Sequence, residues 1–354
     1  VADETTSSRN YNLCIVGFGN VGRALVRLLQ RKSGELCRDH GIRWKITGIA
    51  SRSLGWIADL NGLDPDQVLD DHQRVLMQPA AGNLHGWLQA AQPDVVFEAS
   101  SLNRHNGQPA IAYIKAALEY GAHAISANKG PVLFAYSELC ALALAQKKQF
   151  LFESTVMDGV PIFSLFRESL RAVKVAGFRG ILNSTTNVVL AQMETGLDFD
   201  QAVRKAQEMG IAETDPSDDL EGWDAAAKIA ALAIVVLGCP LTLADVERQG
   251  ISHLDAAAVK TARQAGAPYK MVCRAQRRGN GVAASVRPER LPLTDPLARV
   301  DGASSCVHFE LDILPGLTII EHDPGLETTA YGMLADLISV HAAGNRRTDS
   351  RGGP

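Results

Sequence analysis

The run Gly17-Phe18-Gly19-Asn20-Val21-Gly22 constrains this chain more than any other stretch. It follows a short apolar segment rich in strand formers, Tyr11 to Val16, and leads into residues 23–31, where apolar positions recur at helical spacing. A G-x-G-x-x-G run between a strand and a helix is the context that a dinucleotide fingerprint requires. The glycines permit a tight turn and a close backbone approach. The helix N-terminus then offers free N–H groups to a pyrophosphate. Gly17, Phe18, Gly19, Asn20, Val21 and Gly22 are therefore candidate cofactor contacts. The alternative is a glycine-rich turn that only packs a helix on a sheet.

The next strand is expected over Trp44 to Ala50. An NAD site often carries an acid at this strand's end to bond the ribose 2′-hydroxyl. Here the chain reads Ser51-Arg52-Ser53. A guanidinium and two hydroxyls suit a 2′-phosphate, which favours NADP while leaving NAD possible. A solvated loop arginine is the alternative for Arg52. Residues 54–92 are mixed: Trp56, Ile57 and Leu60 have helical spacing, and Asn61-Gly62 marks a turn. Val95 to Ala99 reads as a buried strand. Ser100 and Ser101 at its C-terminal end are candidate contacts to the nicotinamide ribose, unless they are plain turn residues. A helix follows over Ala110 to Tyr120, then a strand over residues 122–127, ended by Asn128-Lys129-Gly130-Pro131. Lys129 is thereby expected beside the cofactor, where an ammonium could orient a carboxylate or hold a carbonyl. Residues 131–148 read as helix.

Phe150 to Pro161 is expected to be a strand running into a tight turn. Residues 173–182 alternate as a strand and end in five polar residues, Asn183 to Asn187. Phe199 to Met209 is a helix closed by Gly210 at its C′ position. The block from Glu213 to Lys228 begins as an acidic turn with Pro216 and becomes a helix from about Leu220, stopped by Gly238 and Pro240. Asp224 and Lys228 are four apart on one face, where an apolar run begins. A carboxylate and an amine at the dry end of a buried helix can act as a polar pair on a small polar substrate. A surface ion pair worth only about 0.3–0.5 kcal/mol is the bland reading. Strands over 271–275, 282–286, 306–311 and 318–320 suggest a second α+β domain. A last helix, 328–340, carries Leu334, Leu337, Ile338 and His341 on one stripe and returns to the first domain. The expected layout is residues 11–150 plus 315–343 for the first domain and 151–314 for the second. Residues 1–10 and 344–354 read as loose tails.

The chain has 354 residues, enough for two domains, and an ordinary hydrophobic content of 46%. A net charge of −4 without a long basic run argues against a nucleic-acid partner. The six cysteines are scattered and form no C-x-x-C pair, so neither a zinc site nor a disulfide framework is indicated. Reduced thiols in a cytoplasmic enzyme fit best. No apolar run is long enough to span a membrane, and the N-terminal stretch lacks a signal-peptide core.

Taken together, these motifs resemble the homoserine dehydrogenases. The resemblance rests on the Gly17–Gly22 fingerprint, Ser126 to Lys129, Phe152 to Val156, Asn183 to Asn187, and above all Gly210 to Lys228. It covers roughly residues 11–343 in the family's order. It implies an α/β chain with a Rossmann-type dinucleotide-binding domain and a second α+β domain for catalysis and dimerisation. It also implies interconversion of L-homoserine and L-aspartate 4-semialdehyde, a step of threonine and methionine biosynthesis. By residue-wise carry-over, Lys228 would be the proton donor and acceptor and Lys129 would assist. Glu213 and Asp224 would bind homoserine. Gly210 and Gly325 would contact the cofactor. A monovalent cation, usually sodium, would be held by Glu153, Val156, Asp158 and Val160, largely through backbone carbonyls. The assembly would be a homodimer.

The chain departs from the family pattern in places. Ser184 and Val188 replace a usual glycine and a frequent aromatic. Met157 and Asp158 stand in the glycine-rich cation turn. The late glycine-rich loop reads Asp323-Pro324-Gly325-Leu326-Glu327. Such changes keep open a paralogous dehydrogenase with another small hydroxy acid or aldehyde as substrate. A non-catalytic nucleotide-sensing protein is a further alternative, but it would not need Glu213, Asp224 and Lys228 together. No regulatory domain or aspartate-kinase region is expected from the residues present.

Overall fold

The computed structural model describes residues 8–70 and 81–349. Of the tails expected at 1–10 and 344–354, residues 1–7 and 350–354 lie outside the described residues. The chain forms two compact units, one running to Pro161 and resuming at Gly325, the other spanning Ile162–Pro324. In the first unit the elements are β1 (Arg9–Val16), α1 (Asn20–His40), β2 (Ile42–Ser51), β3 (Gly55–Leu63), α2 (Pro65–Leu69), α3 (Leu84–Ala91), β4 (Val95–Glu98), α4 (Ala110–Tyr120), β5 (His123–Ser126), α5 (Lys129–Ala145) and β6 (Phe150–Leu151). In the second they are β7 (Val175–Ile181), α6 (Ser184–Glu194), α7 (Phe199–Glu208), α8 (Trp223–Val236), β8 (Val246–Arg248), α9 (Ala256–Gln264), β9 (Tyr269–Arg278), β10 (Gly281–Arg290), β11 (Ser305–Leu311) and β12 (Leu317–Glu321). The last helix, α10 (Leu326–Asp349), belongs to the first unit.

The first unit's sheet has the order β3-β2-β1-β4-β5-β6. Its strands are parallel apart from β3, which runs antiparallel to β2. Strand order reverses between β1 and β4, so the crevice outside their carboxyl ends is the topological switch point where open α/β sheets bind ligands. Both strands are apolar and buried along most of their length, as strands covered on two faces must be. α1 presents Leu25, Val26, Leu28 and Leu29 to the core, and α10 adds Ala330, Met333, Leu334, Leu337 and Val340 to the same cluster. The second sheet has the order β12-β11-β7-β9-β10-β8, antiparallel apart from the β8–β10 pair. No helix among the described residues is long and apolar enough to cross a membrane.

Several expectations need correction. Residues 56–60 form part of strand β3, not a helix, because tertiary pairing with β2 outweighs a local pattern that fits either period. The unit boundaries fall at Pro161 and Pro324, about ten residues beyond 150 and 314. The reason is bonding: Glu153 N donates to Asp336 Oδ2 at 2.9 Å and Ser154 Oγ to the Thr329 carbonyl at 2.7 Å, so this turn folds with α10. β12 pairs with β11, which keeps residues 317–321 in the second unit. Residues 9–10 belong to β1 and residues 344–349 to α10, so neither stretch is a loose tail. Asn183 to Asn187 follows the end of β7 as expected and forms the capped first turn of α6. The helix expected from Leu220 is in two pieces: a single turn over Ser217–Leu220 and then α8. Gly222 divides them with φ +81°, a conformation that other residues rarely adopt.

The docking of α10 through Leu337, which is fully buried, yields a test. Leu337→Ala should destabilise the chain by about 2–5 kcal/mol. A fall in the urea unfolding midpoint at unchanged m-value is the expected readout.

Candidate active site

At the end of β1 the Gly17 and Phe18 N–H groups both donate to the Ala50 carbonyl, at 2.9 and 3.3 Å, which pulls the turn over the end of β2. On its other side the turn meets β4. A Cβ built on Gly17 would lie 2.4 Å from the Ala99 carbonyl carbon and the Ser100 nitrogen, and Gly17 has φ +88°. One on Gly22 would come within 3.0 Å of the Gly17 carbonyl oxygen, whereas one on Gly19 meets nothing within 4 Å. The three glycines thus serve three needs: strand-end clearance, helix-on-turn packing, and an open approach. Gly19 caps α1 without a side-chain hydrogen bond, and the first turn holds no acid. Its orphan N–H groups and dipole are left for an anion.

A cavity of about 780 Å³ opens here, lined by Gly17, Phe18 and Gly19 from the turn, Ser51, Arg52 and Ser53 from the β2 end, and Ser100 and Ser101 from the β4 end. Its size suits a dinucleotide, and the glycine cradle and uncapped helix fit the pyrophosphate. Arg52 is exposed at the rim. The Ser51 and Ser53 hydroxyls are 3.2 Å apart. Trp56 and Tyr113 add an aromatic wall, their ring centroids 5.8 Å apart. Asn20, Val21 and Gly22 belong to the first turn of α1 itself.

Lys129 is the first residue of α5, half-buried, with Asn128 as N-cap accepting from Gly130 N at 2.8 Å. Asn128 also donates to the Ser100 and Ser101 carbonyls, at 3.0 and 3.3 Å. The four candidate cation residues lie in the turn after β6. Glu153 is buried, and its N–H bonds Asp336 of α10. The carbonyls of Val156 and Asp158 accept no backbone hydrogen bond among the described residues. Asp158 adopts φ +42°, a region that aspartate tolerates better than most residues, and its carboxylate accepts from the Thr329 hydroxyl. Val160 donates its N–H to Met157 O at 2.8 Å. Among the described residues no cluster of His, Cys, Asp or Glu forms a side-chain metal site. Any cation here would rely on carbonyls.

The second unit gathers a polar knot at the start of α8. Lys228 Nζ donates to the Leu182 carbonyl at 2.6 Å and pairs with Asp224 Oδ2 at 3.1 Å. Its side chain is only 19% exposed, so the amine is not out in bulk water. Asn183 joins the group: its amide donates to Asp219 Oδ1 at 2.6 Å and to Asp224 Oδ2 at 3.1 Å, while its oxygen caps α6. Thr185 Oγ1 donates to Asp219 Oδ2 at 2.8 Å. Burial, and then the charge of Asp224, raise the Asp219 carboxyl above its usual range despite those two donors. Asp219 and Thr185 were not singled out from the sequence. Their signal was position: an acid five before Asp224, and a hydroxyl in the first turn of a capped helix.

Not every candidate joins this knot. Glu213 is exposed, its carboxylate enters none of these bonds, and its carbonyl accepts from Gln207 Nε2 at 3.0 Å. Gly210 closes α7 in the second unit with φ +72°. Gly325 opens the first unit's final segment, its N–H bonded to Thr328 Oγ1 at 2.8 Å. The departures have local explanations. Ser184 Oγ donates to the Ala303 carbonyl at 2.6 Å, and Val188 and Met157 are core residues. Glu327 pairs with Arg31 of α1.

Comparison with known proteins places these geometries in context. A family model described as homoserine dehydrogenase matches residues 161–338, and one described as homoserine dehydrogenase, NAD binding domain, matches residues 17–153. An NAD(+)-dependent homoserine dehydrogenase of Pseudomonas canavaninivorans is 35% identical over 346 residues, 96% of this chain and 98% of that protein. A crystal structure of a putative homoserine dehydrogenase from Archaeoglobus fulgidus superposes with a TM-score of 0.83 at 29% identity, covering 94% of this chain and 99% of that one. A hyperthermophilic archaeal homoserine dehydrogenase mutant in complex with NADPH gives 0.79 at 27% identity, covering 95% and 98%.

The cradle predicts that Gly17→Ala abolishes dinucleotide binding. The new Cβ has no room beside Ala99, and strain at this φ alone costs about 1–3 kcal/mol. Calorimetric titration of NADPH into the variant should show no saturable binding, with the fold confirmed by circular dichroism.

Proposed function

This chain belongs to the homoserine dehydrogenase family, and from that premise we propose how its residues divide the interconversion of L-homoserine and L-aspartate 4-semialdehyde. The chain is an NAD(P)-dependent oxidoreductase acting on a CH–OH group. A paralogous activity on another hydroxy acid is not favoured. When bound, the nicotinamide supplies or accepts the hydride. Everything else falls to side chains.

Lys228 is the proton donor and acceptor at the substrate oxygen. In the reducing direction it protonates the alkoxide that forms, and in the oxidising direction it takes the hydroxyl proton. The observation that carries this role is the clamp on its amine, 2.6 Å from Leu182 O and 3.1 Å from Asp224. A donor held by two acceptors needs no reorganisation to point at a third. Asp224 binds homoserine and orients Lys228, and Asn183, itself anchored on Asp219, holds Asp224 in turn. Glu213, exposed and with its carboxylate unengaged among the described residues, pairs with the substrate ammonium. Lys129 assists from the start of α5.

NADP(H) is the proposed cofactor. The relatives named above include one called NAD(+)-dependent and one complexed with NADPH, so residues must decide. β2 ends in Ser51 with no acid, and Arg52 is exposed at the cavity rim among the described residues. Gly17–Gly22 and Gly325 contact the cofactor from the first unit, with Ser100 and Ser101 at its nicotinamide ribose. Gly210 is a further proposed cofactor contact. A monovalent cation, sodium by preference, is held by Glu153, Val156, Asp158 and Val160; the carbonyls of Val156 and Asp158, which accept no backbone hydrogen bond among the described residues, support this. The active form is a homodimer in the cytoplasm, and its product feeds threonine and methionine synthesis.

Lys228→Ala should lower kcat with aspartate semialdehyde by about 10²–10⁴-fold while leaving the NADPH Kd within about twofold. Near-normal turnover in that variant would remove Lys228 from the reaction. Arg52→Ala should raise the KM for NADPH by roughly 10–100-fold and that for NADH by little, since hydrogen bonds to a charged group are worth about 1.5–3 kcal/mol. Equal effects on both cofactors would point to NAD instead.

A further inference from the structure

Glu98, the last residue of β4, is fully buried, and the division of labour above gives it no task. Its Oε1 accepts from the Ser100 N–H at 2.8 Å and from the Ser100 hydroxyl. Its Oε2 accepts from Ser126 Oγ at 2.8 Å. All three donors are neutral, and among the described residues no lysine, arginine or histidine pairs with it. The Ser100 N–H can only donate, and both hydroxyls are placed to donate. Three donors converging on two oxygens favour the ionised carboxylate. Burial raises the Glu98 carboxyl above its usual range, and these donors offset part of that rise.

One of these partners, Ser100, lines the cofactor cavity. Ser100 and Ser101 line it together with Gly17 and Gly19. Asn128 binds both serine carbonyls and caps the helix that begins with Lys129. A neutral side chain would suffice to tie β4 to β5. A formal charge without a cationic partner, kept out of water, is costly unless something else uses it.

We propose that Glu98 is a positioning residue whose charge acts on the cofactor: it fixes Ser100, Ser101 and the start of α5, and it favours the cationic oxidised nicotinamide over the neutral reduced one. Reduction of NADP⁺ adds a hydride and removes the ring's positive charge. A fixed carboxylate behind Ser100 therefore stabilises the oxidised form selectively, through a medium of low dielectric. The inference rests on the reading that the nicotinamide half lies over Ser100 and Ser101.

Two variants separate charge from geometry. Glu98→Gln removes the charge and keeps the length; Glu98→Asp keeps the charge on a shorter arm. The Kd values of NADP⁺, NADPH and adenosine 2′,5′-bisphosphate, which lacks nicotinamide, would be measured by calorimetry on the full chain, with thermal unfolding to verify folding. The ratio Kd(NADP⁺)/Kd(NADPH) should rise about three- to tenfold in Glu98→Gln. It should stay within about twofold of the native ratio in Glu98→Asp, where both affinities fall together. The bisphosphate should bind all three proteins alike. An unchanged ratio in Glu98→Gln, or an equal shift in both variants, overturns the proposal. Should Glu98→Gln not fold, a shifted ratio in Glu98→Asp is sufficient to overturn it, and a preserved ratio supports it. A native chain that binds neither dinucleotide would instead defeat the dehydrogenase reading on which this rests.

Discussion

The backbone at Gly17 passes so close to the end of β4 that no side chain fits between them. That single approach fixes the rest of the first unit. It sets β1 and β4 as neighbours where the strand order reverses, and it opens the crevice there. It also aims the uncapped end of α1 at the crevice rather than at protein. The buried faces of α1 and α10 then hold the turn from behind, since Leu25 and Leu29 share a cluster with Met333 and Leu337. Steric clearance at one residue and apolar burial along two helices are complementary demands: one defines the site and the other keeps it from relaxing.

The second unit solves a different problem. An amine and two carboxylates must be kept partly out of water without losing their charges to burial. Asn183 is the pivot. Its oxygen closes the N-terminus of α6 while its amide spans Asp219 and Asp224, so one side chain serves helix and site together. Alanines on α8 make this possible. Ala225, Ala226 and Ala227 are buried and small, which lets the helix pack close while Asp224 and Lys228 remain at its edge.

Much of this was legible in the chain. The fingerprint turn, the strand at Val95 and the helix over Ala110–Tyr120 announce themselves because local pattern and tertiary role agree there. The Asp224–Lys228 pair was legible for the same reason, since spacing of four on a helix that turns apolar is a local signal. What failed was non-local. β3 is a strand because β2 offers it an edge, and no pattern within residues 55–63 says so. Gly222 breaks the helix by adopting φ +81°, and a Cβ there would also come within 3.0 Å of Val286 on a distant strand. Asp219, Thr185 and Glu98 were passed over because an acid or hydroxyl in sequence carries no mark of its eventual burial.

Two acids passed over in the sequence, the buried Glu98 and the half-buried Asp219, make a further point about how such a chain tolerates polar groups in its interior. Both lie where an element ends, and there the backbone supplies unmet donors or a capping side chain. Glu98 takes the N–H of Ser100, which has left the ladder of β4, and Asp219 takes the amide of Asn183, which has just capped α6. A carboxylate in mid-strand would find its neighbours' N–H groups already committed to pairing. Element ends are therefore where burial of charge is least costly. In a sheet of this topology they are also where ligands bind. On this argument the placement of Glu98 and Asp219 follows from hydrogen-bond supply: an element's end offers donors that the interior of a ladder or helix has already committed.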